Sequence, residues 1–115
     1  MSKNLSIKRV YEPAARGDGA RVLVDRVWPR GITKEKAALD LWLKEIAPST
    51  ALRKWFGHDP ARWDEFRKRY GKELDGNAEA VGQLTALVAK GPVTLLYSAH
   101  DTEHNQAAAL LEYLT

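Results

Sequence analysis

Apolar residues recur along this chain with two periods. Around Leu5, Ile7 and Tyr11 they alternate with polar neighbours, the two-residue repeat of a half-exposed strand over residues 5–11, which Pro13 ends. Residues 21–29 instead carry Val22, Leu23 and Val24 consecutively, which predicts a strand covered on both faces and stopped by Pro29. "VTLLYS" (93–98) predicts a second strand of that kind, while "AARGDGA" between the first two strands reads as a flexible turn.

The helical period takes over in the middle. After Ser49, "TALRKWF" makes two turns with Leu52, Trp55 and Phe56 on one side. Asp59 at a cap, Pro60 at the first helical position and Asp64 and Glu65 in the first turn start a helix whose stripe is Trp63, Phe66, Tyr70 and Leu74. Asn77 caps the next helix, with Val81, Leu84, Leu87 and Val88 inward until Gly91-Pro92. Thr33 is placed to cap a short helix, and Asp101 or Thr102 to cap a last one that turns Ala107, Ala108, Leu111 and Leu114 inward. Residues 39–46 satisfy both periods: Leu39, Trp42, Leu43 and Ile46 have helical spacing, yet Leu39, Leu41 and Leu43 alternate. The helical reading is preferred, and Pro48 ends either.

Strands separated by helices, with no linker or repeat, predict one compact α/β domain over residues 1–115, a short mixed or mostly parallel sheet flanked by helices. At 115 residues such a chain can bury about two thirds of its unfolded surface in one core.

Composition removes several chemistries. Cysteine is absent, which excludes thiol catalysis, iron–sulfur clusters and cysteine zinc sites. The first 13 residues hold no apolar run long enough for a leader, and no segment approaches the roughly 18 apolar residues of a membrane span, so a cytoplasmic protein without a membrane partner is expected. A net charge of +3 suits a small anionic ligand but is modest for nucleic acid.

In open α/β sheets ligands gather beyond the carboxyl ends of the strands, where helix N-termini expose amides. "DRVWPRGIT" (25–33) and "SAHDTEHN" (98–105) follow the two most apolar strands, so they are expected to share a rim. There Arg26 and Arg30 are candidates to hold an anion, Trp28 and Trp42 to wall the site, His100 or His104 to move a proton, and Ser98 and Asn105 to orient the ligand. His104, in the first turn of the last helix, is expected to be neutral because the positive dipole end disfavours imidazolium. Asp101 enters as cap and competitor, since its carboxylate takes the amides an anion would use. "HDTEH" spells an inverted zinc-peptidase motif, but only His104 of its two histidines falls on the expected helix, so no metal and no cofactor are expected. The alternative is a nucleic-acid- or protein-binding module along residues 52–70, where Trp55, Phe56, Trp63, Phe66 and Tyr70 interleave with arginines.

"VLVDRVWPRGI", "LKEIAPS", "LRKWFGHDPARWDEFRKRY" and "VTLLYSAHDTEHNQAAAL", in that order over nearly the whole chain, resemble the YeaO-like family of bacterial proteins, a subgroup of a larger domain-of-unknown-function family. The resemblance implies a compact α/β domain of uncharacterised activity with no catalytic assignment to carry over, and a strand rather than a helix near residues 39–49. Similar members of the larger family carry a Cys-His-Arg triplet after the last strand. This chain departs from it, with His104-Asn105-Gln106 near that place, so the triplet's thiol chemistry does not carry over.

Overall fold

The computed structural model describes residues 4–115; residues 1–3, part of the stretch read for a leader, lie outside the described residues. Four strands, β1 (Leu5–Arg9), β2 (Ala20–Leu23), β3 (Leu41–Trp42) and β4 (Val93–Tyr97), form one sheet in the order β1-β4-β2-β3. Every pairing is parallel, with Ile7 opposite Leu95 and Val22 opposite Leu95 across β4. Parallel neighbours require crossovers, and these supply α1 (Lys34–Ala37), α2 (Thr50–Phe56), α3 (Trp63–Asp75) and α4 (Ala78–Lys90) before α5 (Gln106–Leu114) closes the chain.

Alternation along the strands sorts the core into two layers. Val22, Val24, Leu95 and Tyr97 face a large cluster with Phe56, Phe66, Tyr70, Leu84 and Leu110 of the helices. Leu23 and Leu96 belong to a smaller cluster with Val10, Ile32 and Ala37, against which Trp28, Leu39 and Trp42 pack. All five residues of β4 are buried, as its unbroken apolar run requires.

Capping follows the sequence at two sites, where Thr33 accepts from Lys36 N at 3.2 Å and Asp59 from Ala61 N at 3.0 Å, and Ser49 adds a third cap by accepting from Leu52 N at 3.1 Å. Asp59 starts a 3-10 turn over Pro60–Arg62 that runs into α3, whose buried residues are Phe66, Tyr70 and Leu74, with Trp63 half-buried.

Four expectations are corrected. Residues 39–46 are not helical: β3 pairs with β2, and Lys44–Ile46 make a 3-10 turn. The two periods were nearly balanced there, and β2 decides by offering its open edge, where Arg21 O accepts Asp40 N and Leu23 O accepts Leu43 N, each at 2.9 Å. "AARGDGA" is an anchored turn, since buried Asp18 accepts from Arg21 Nη1 at 2.5 Å and from Lys8 Nζ at 3.1 Å while Arg21 donates to Ala37 O at 2.8 Å. The last helix begins at Gln106 rather than after Asp101 or Thr102. Asn105 caps it by accepting Ala108 N at 2.8 Å, and Ala107, Ala109 and Leu110 are the buried residues. Asn77 stands at the start of α4 without capping it, because its amide donates to Glu45 O at 2.8 Å.

Among the described residues no helix is long and apolar enough to cross a membrane. Two substitutions test this packing by urea denaturation. Leu95→Ala, at the fully buried centre of β4, is expected to cost about 2–5 kcal/mol. Gly19→Ala is expected to cost at least about 1–3 kcal/mol, because Gly19 has φ 64° and a Cβ there would overlap the Pro92 carbonyl to which Ala20 N donates.

Candidate functional site

A cavity of about 460 Å³ opens beyond the carboxyl ends of the adjacent parallel strands β2 and β4. Its geometry starts with Asp25. Val24 N extends the ladder to Leu96 O at 3.0 Å, after which the chain turns and buries the Asp25 side chain. One carboxylate oxygen accepts Ser98 N at 3.1 Å and the other accepts the Gln106 amide, so one side chain joins the turn after β2, the turn after β4 and the first residue of α5. Burial pushes the Asp25 carboxyl above its ordinary value. The bonds from Ser98 and Gln106 and the charge of Arg53 pull it back only partly.

Two arginines reach the cavity without a carboxylate partner. Arg26 donates to Ala47 O at 3.0 Å and Pro48 O at 3.3 Å, which fixes its guanidinium against the segment leading to α2. Arg53, on α2, has no hydrogen bond or ion pair from its side chain among the described residues. Val27, Pro48, Phe56 and Phe66 contribute an apolar wall.

All three histidines of the chain, His58, His100 and His104, line the same space. His100 is exposed and its ring has no partner among the described residues. His104, expected in the first turn of the last helix, is not helical but lies just before the cap of α5. Its Nδ1 lies 2.9 Å from Asp101 Oδ2 and its ring stands edge-on to Trp63 at 5.3 Å. Asp101 also accepts the amides of Glu103 and His104, both at 2.9 Å, and these bonds with that of His104 hold its carboxyl down at about 2. The protein's own carboxylate thus fills the amide cradle.

Of the residues singled out in the sequence, Arg26, Ser98, His100, His104 and Asn105 come together here, although Asn105 is engaged as the cap of α5 and by donating to Asp101 O at 2.9 Å. Trp28, Arg30, Trp42 and Asp101 lie outside the cavity lining. The two tryptophans pack edge-on at 5.5 Å against the smaller core layer, where their ring N–H groups donate to Ile32 O and Asp25 O at 2.9 and 2.7 Å. Arg30 contributes its carbonyl, which accepts from the Tyr11 hydroxyl at 2.8 Å. Asp25 as an organiser, Arg53, His58 and Gln106 were not legible as site residues. Gly57, a helix-ending glycine just before His58, was the one local sign that the chain reverses there.

The aromatics of residues 52–70 are covered rather than presented. Arg69 lies 4.1 Å and Arg62 5.3 Å from the Trp55 ring centroid, and Arg67 lies over Trp63 while paired with Asp64 and Glu112 at 2.5 and 2.7 Å. Among the described residues no cluster of His, Asp or Glu is arranged to hold a metal ion.

Residues 4–115 match the family model described as the inactive DUF488-N3 subclade. The chain is similar to the Escherichia coli (strain K12) uncharacterized protein YeaO, 48% identical over 111 residues and covering 96% of each chain. It is also similar to the Mycobacterium tuberculosis (strain H37Rv) uncharacterized protein Rv3073c, 42% identical over 108 residues that make up 94% of this chain and 91% of the relative. No solved structure matches it.

The two carboxylates predict opposite pH behaviour. Asp25 is raised, so its contribution is fully present below its unfolded value of about 3.9 and is lost as pH rises through the folded value. Asp101 is lowered, so its contribution is present above about 3.9 and lost as pH falls toward about 2. In urea denaturation from pH 2 to 7, Asp25→Asn is expected to gain on the wild type as pH rises, with Gln106 turning its amide over to keep the bond. Asp101→Ala is expected to lose against the wild type at neutral pH and to approach it near pH 2.

Proposed function

The chain belongs to the inactive DUF488-N3 subclade, the YeaO-like family of its relatives, and from that premise we propose that it binds a small anionic or nucleotide-like ligand rather than transforming one. The observation that carries this reading is the convergence of Arg26 and Arg53 on one cavity with no carboxylate bridged to either. A guanidinium donates in a fixed fork that matches phosphate and carboxylate oxygens, and each charge-assisted bond is worth about 1.5–3 kcal/mol. Apolar residues beside the two cations thin the water around a bound anion and strengthen both contacts.

Several features favour retention over turnover. Ser98 is bonded to Asp25 rather than to a histidine, His104 is tied to Asp101 through Nδ1, and Asn105 and Gln106 are neutral amides with structural bonds. His100 remains as a donor for the ligand's rim. We place the protein in the cytoplasm, where phosphorylated metabolites supply such anions.

Inorganic phosphate, followed by amide shifts in an NMR titration, tests the reading. Wild-type protein is expected to bind with a Kd of about 1 mM, the equivalent of about 4 kcal/mol. Arg26→Ala and Arg53→Ala should each weaken binding about tenfold, the double variant should abolish it, and Arg30→Ala should leave it unchanged. Equal affinity in wild type and both single variants would overturn the assignment.

A further inference from the structure

Gly57 and His58 both take left-handed backbone, with φ of 55° and 58°. At Gly57 this is the ordinary end of a helix, its N–H reaching Arg53 O. At His58 it is an uncommon conformation, adopted by only a few per cent of residues other than glycine. Among the described residues Ala38 is the other case, and Ala38 caps α1 through its N–H to Lys34 O. His58 has no such reason, because Gly57 already caps α2. The turn it completes, Asp59 N to Phe56 O at 3.0 Å, would form with less strain around a glycine. The imidazole is exposed, makes no hydrogen bond among the described residues, and has a tilted ring contact with Phe56 at 6.4 Å. It stands in the wall of the cavity that holds Arg26 and Arg53.

We infer that His58 is a third arm of the anion site, held toward the cavity by strained backbone, and that it fits the site to tetrahedral oxyanions such as a phosphate monoester rather than to carboxylates. The inference rests on the anion-binding reading and sharpens it. Two forked guanidiniums already saturate a planar carboxylate, which has two oxygens clustered on one edge. A phosphoryl group spreads three terminal oxygens around a tetrahedron and leaves one for a donor from another direction. An imidazole N–H on the turn after α2 meets that need from the same cavity lining as Arg53, five residues earlier in the chain. Local strain retained at a cavity wall, where glycine would serve the chain better, is how a binding side chain is kept in place.

Wild type, His58→Gly and His58→Gln are titrated with phosphate and, separately, acetate, and their thermal midpoints are measured. His58→Gly relieves the strained φ, so its midpoint is expected to rise by about 2–5 °C. Its phosphate Kd should weaken about tenfold while its acetate Kd stays within about twofold. His58→Gln, which keeps an N–H donor, should recover phosphate binding to within about threefold of wild type. An unchanged phosphate Kd in His58→Gly overturns the inference and leaves the arginine site standing. Equal weakening for both anions, or a lowered midpoint without recovery in His58→Gln, makes the ring a packing group and overturns it as well. A wild type that binds neither anion overturns the reading of the cavity and this inference together.

Discussion

The carboxylate of Asp25 is the junction on which the open end of this fold depends. β2 and β4 run side by side and in the same direction, so their chains emerge together and must diverge without leaving unpaired backbone groups. Asp25 satisfies Ser98 N after β4, accepts from Gln106 at the start of α5, and through its own carbonyl takes the ring N–H of Trp42. One residue therefore ties both sheet faces and the last helix to the end of the central strands. Burial raises the carboxyl, so ionising Asp25 costs more than in water, and the charge of Arg53 offsets part of that cost.

The opposite end of the strands solves the same problem with charge. There Asp18 is buried too, but the Ala15 amide, Lys8 and Arg21 surround it, and together they outweigh its burial and hold its carboxyl below the ordinary value. Arg21 is nearly fully covered and spends its remaining donors on Ala37 O, while Thr94 donates to Asp18 O at 2.7 Å. Lys8 and Arg21 are both partnered there. At the carboxyl end Arg26 is held by carbonyls and Arg53 acts on Asp25 through its charge without a hydrogen bond, and both arginines line the cavity. The two buried carboxylates are thus satisfied by opposite means, by cations at one end and mainly by neutral donors at the other.

Near the position of the larger family's Cys-His-Arg triplet, His104, Asn105 and Gln106 each have a structural engagement: with Asp101, with the amides of α5, and with Asp25. A turn in which all three side chains are tied to the protein orders the rim of the cavity. The other polar lining residues reach the cavity from α2 and from the turns after β2 and α2.

Local pattern alone determined much of this protein. The unbroken apolar runs at Val22–Val24 and Val93–Tyr97 demanded doubly covered strands, the caps at Thr33 and Asp59 marked helix starts, and the absence of cysteine removed thiol chemistry. The two corners that follow those strands were legible as a site because parallel strands bring their carboxyl ends together, and Arg26, His100 and His104 do line one cavity. Tertiary structure decided what balanced or distant interactions control. Residues 39–46 fitted either period until the free edge of β2 paired them, and the last helix, expected to be capped by Asp101 or Thr102, is capped by Asn105 because Asp101 turns to His104. Trp28 and Arg30 stand within four residues of Arg26 yet leave the site, because the turn at Asp25 sends Trp28 to the smaller core layer while Arg26 stays with the larger. Arg53 and His58 come from a crossover far along the chain, and no periodicity encodes which side chains of separate elements will share a cavity; that follows only from packing α2 across the end of the sheet.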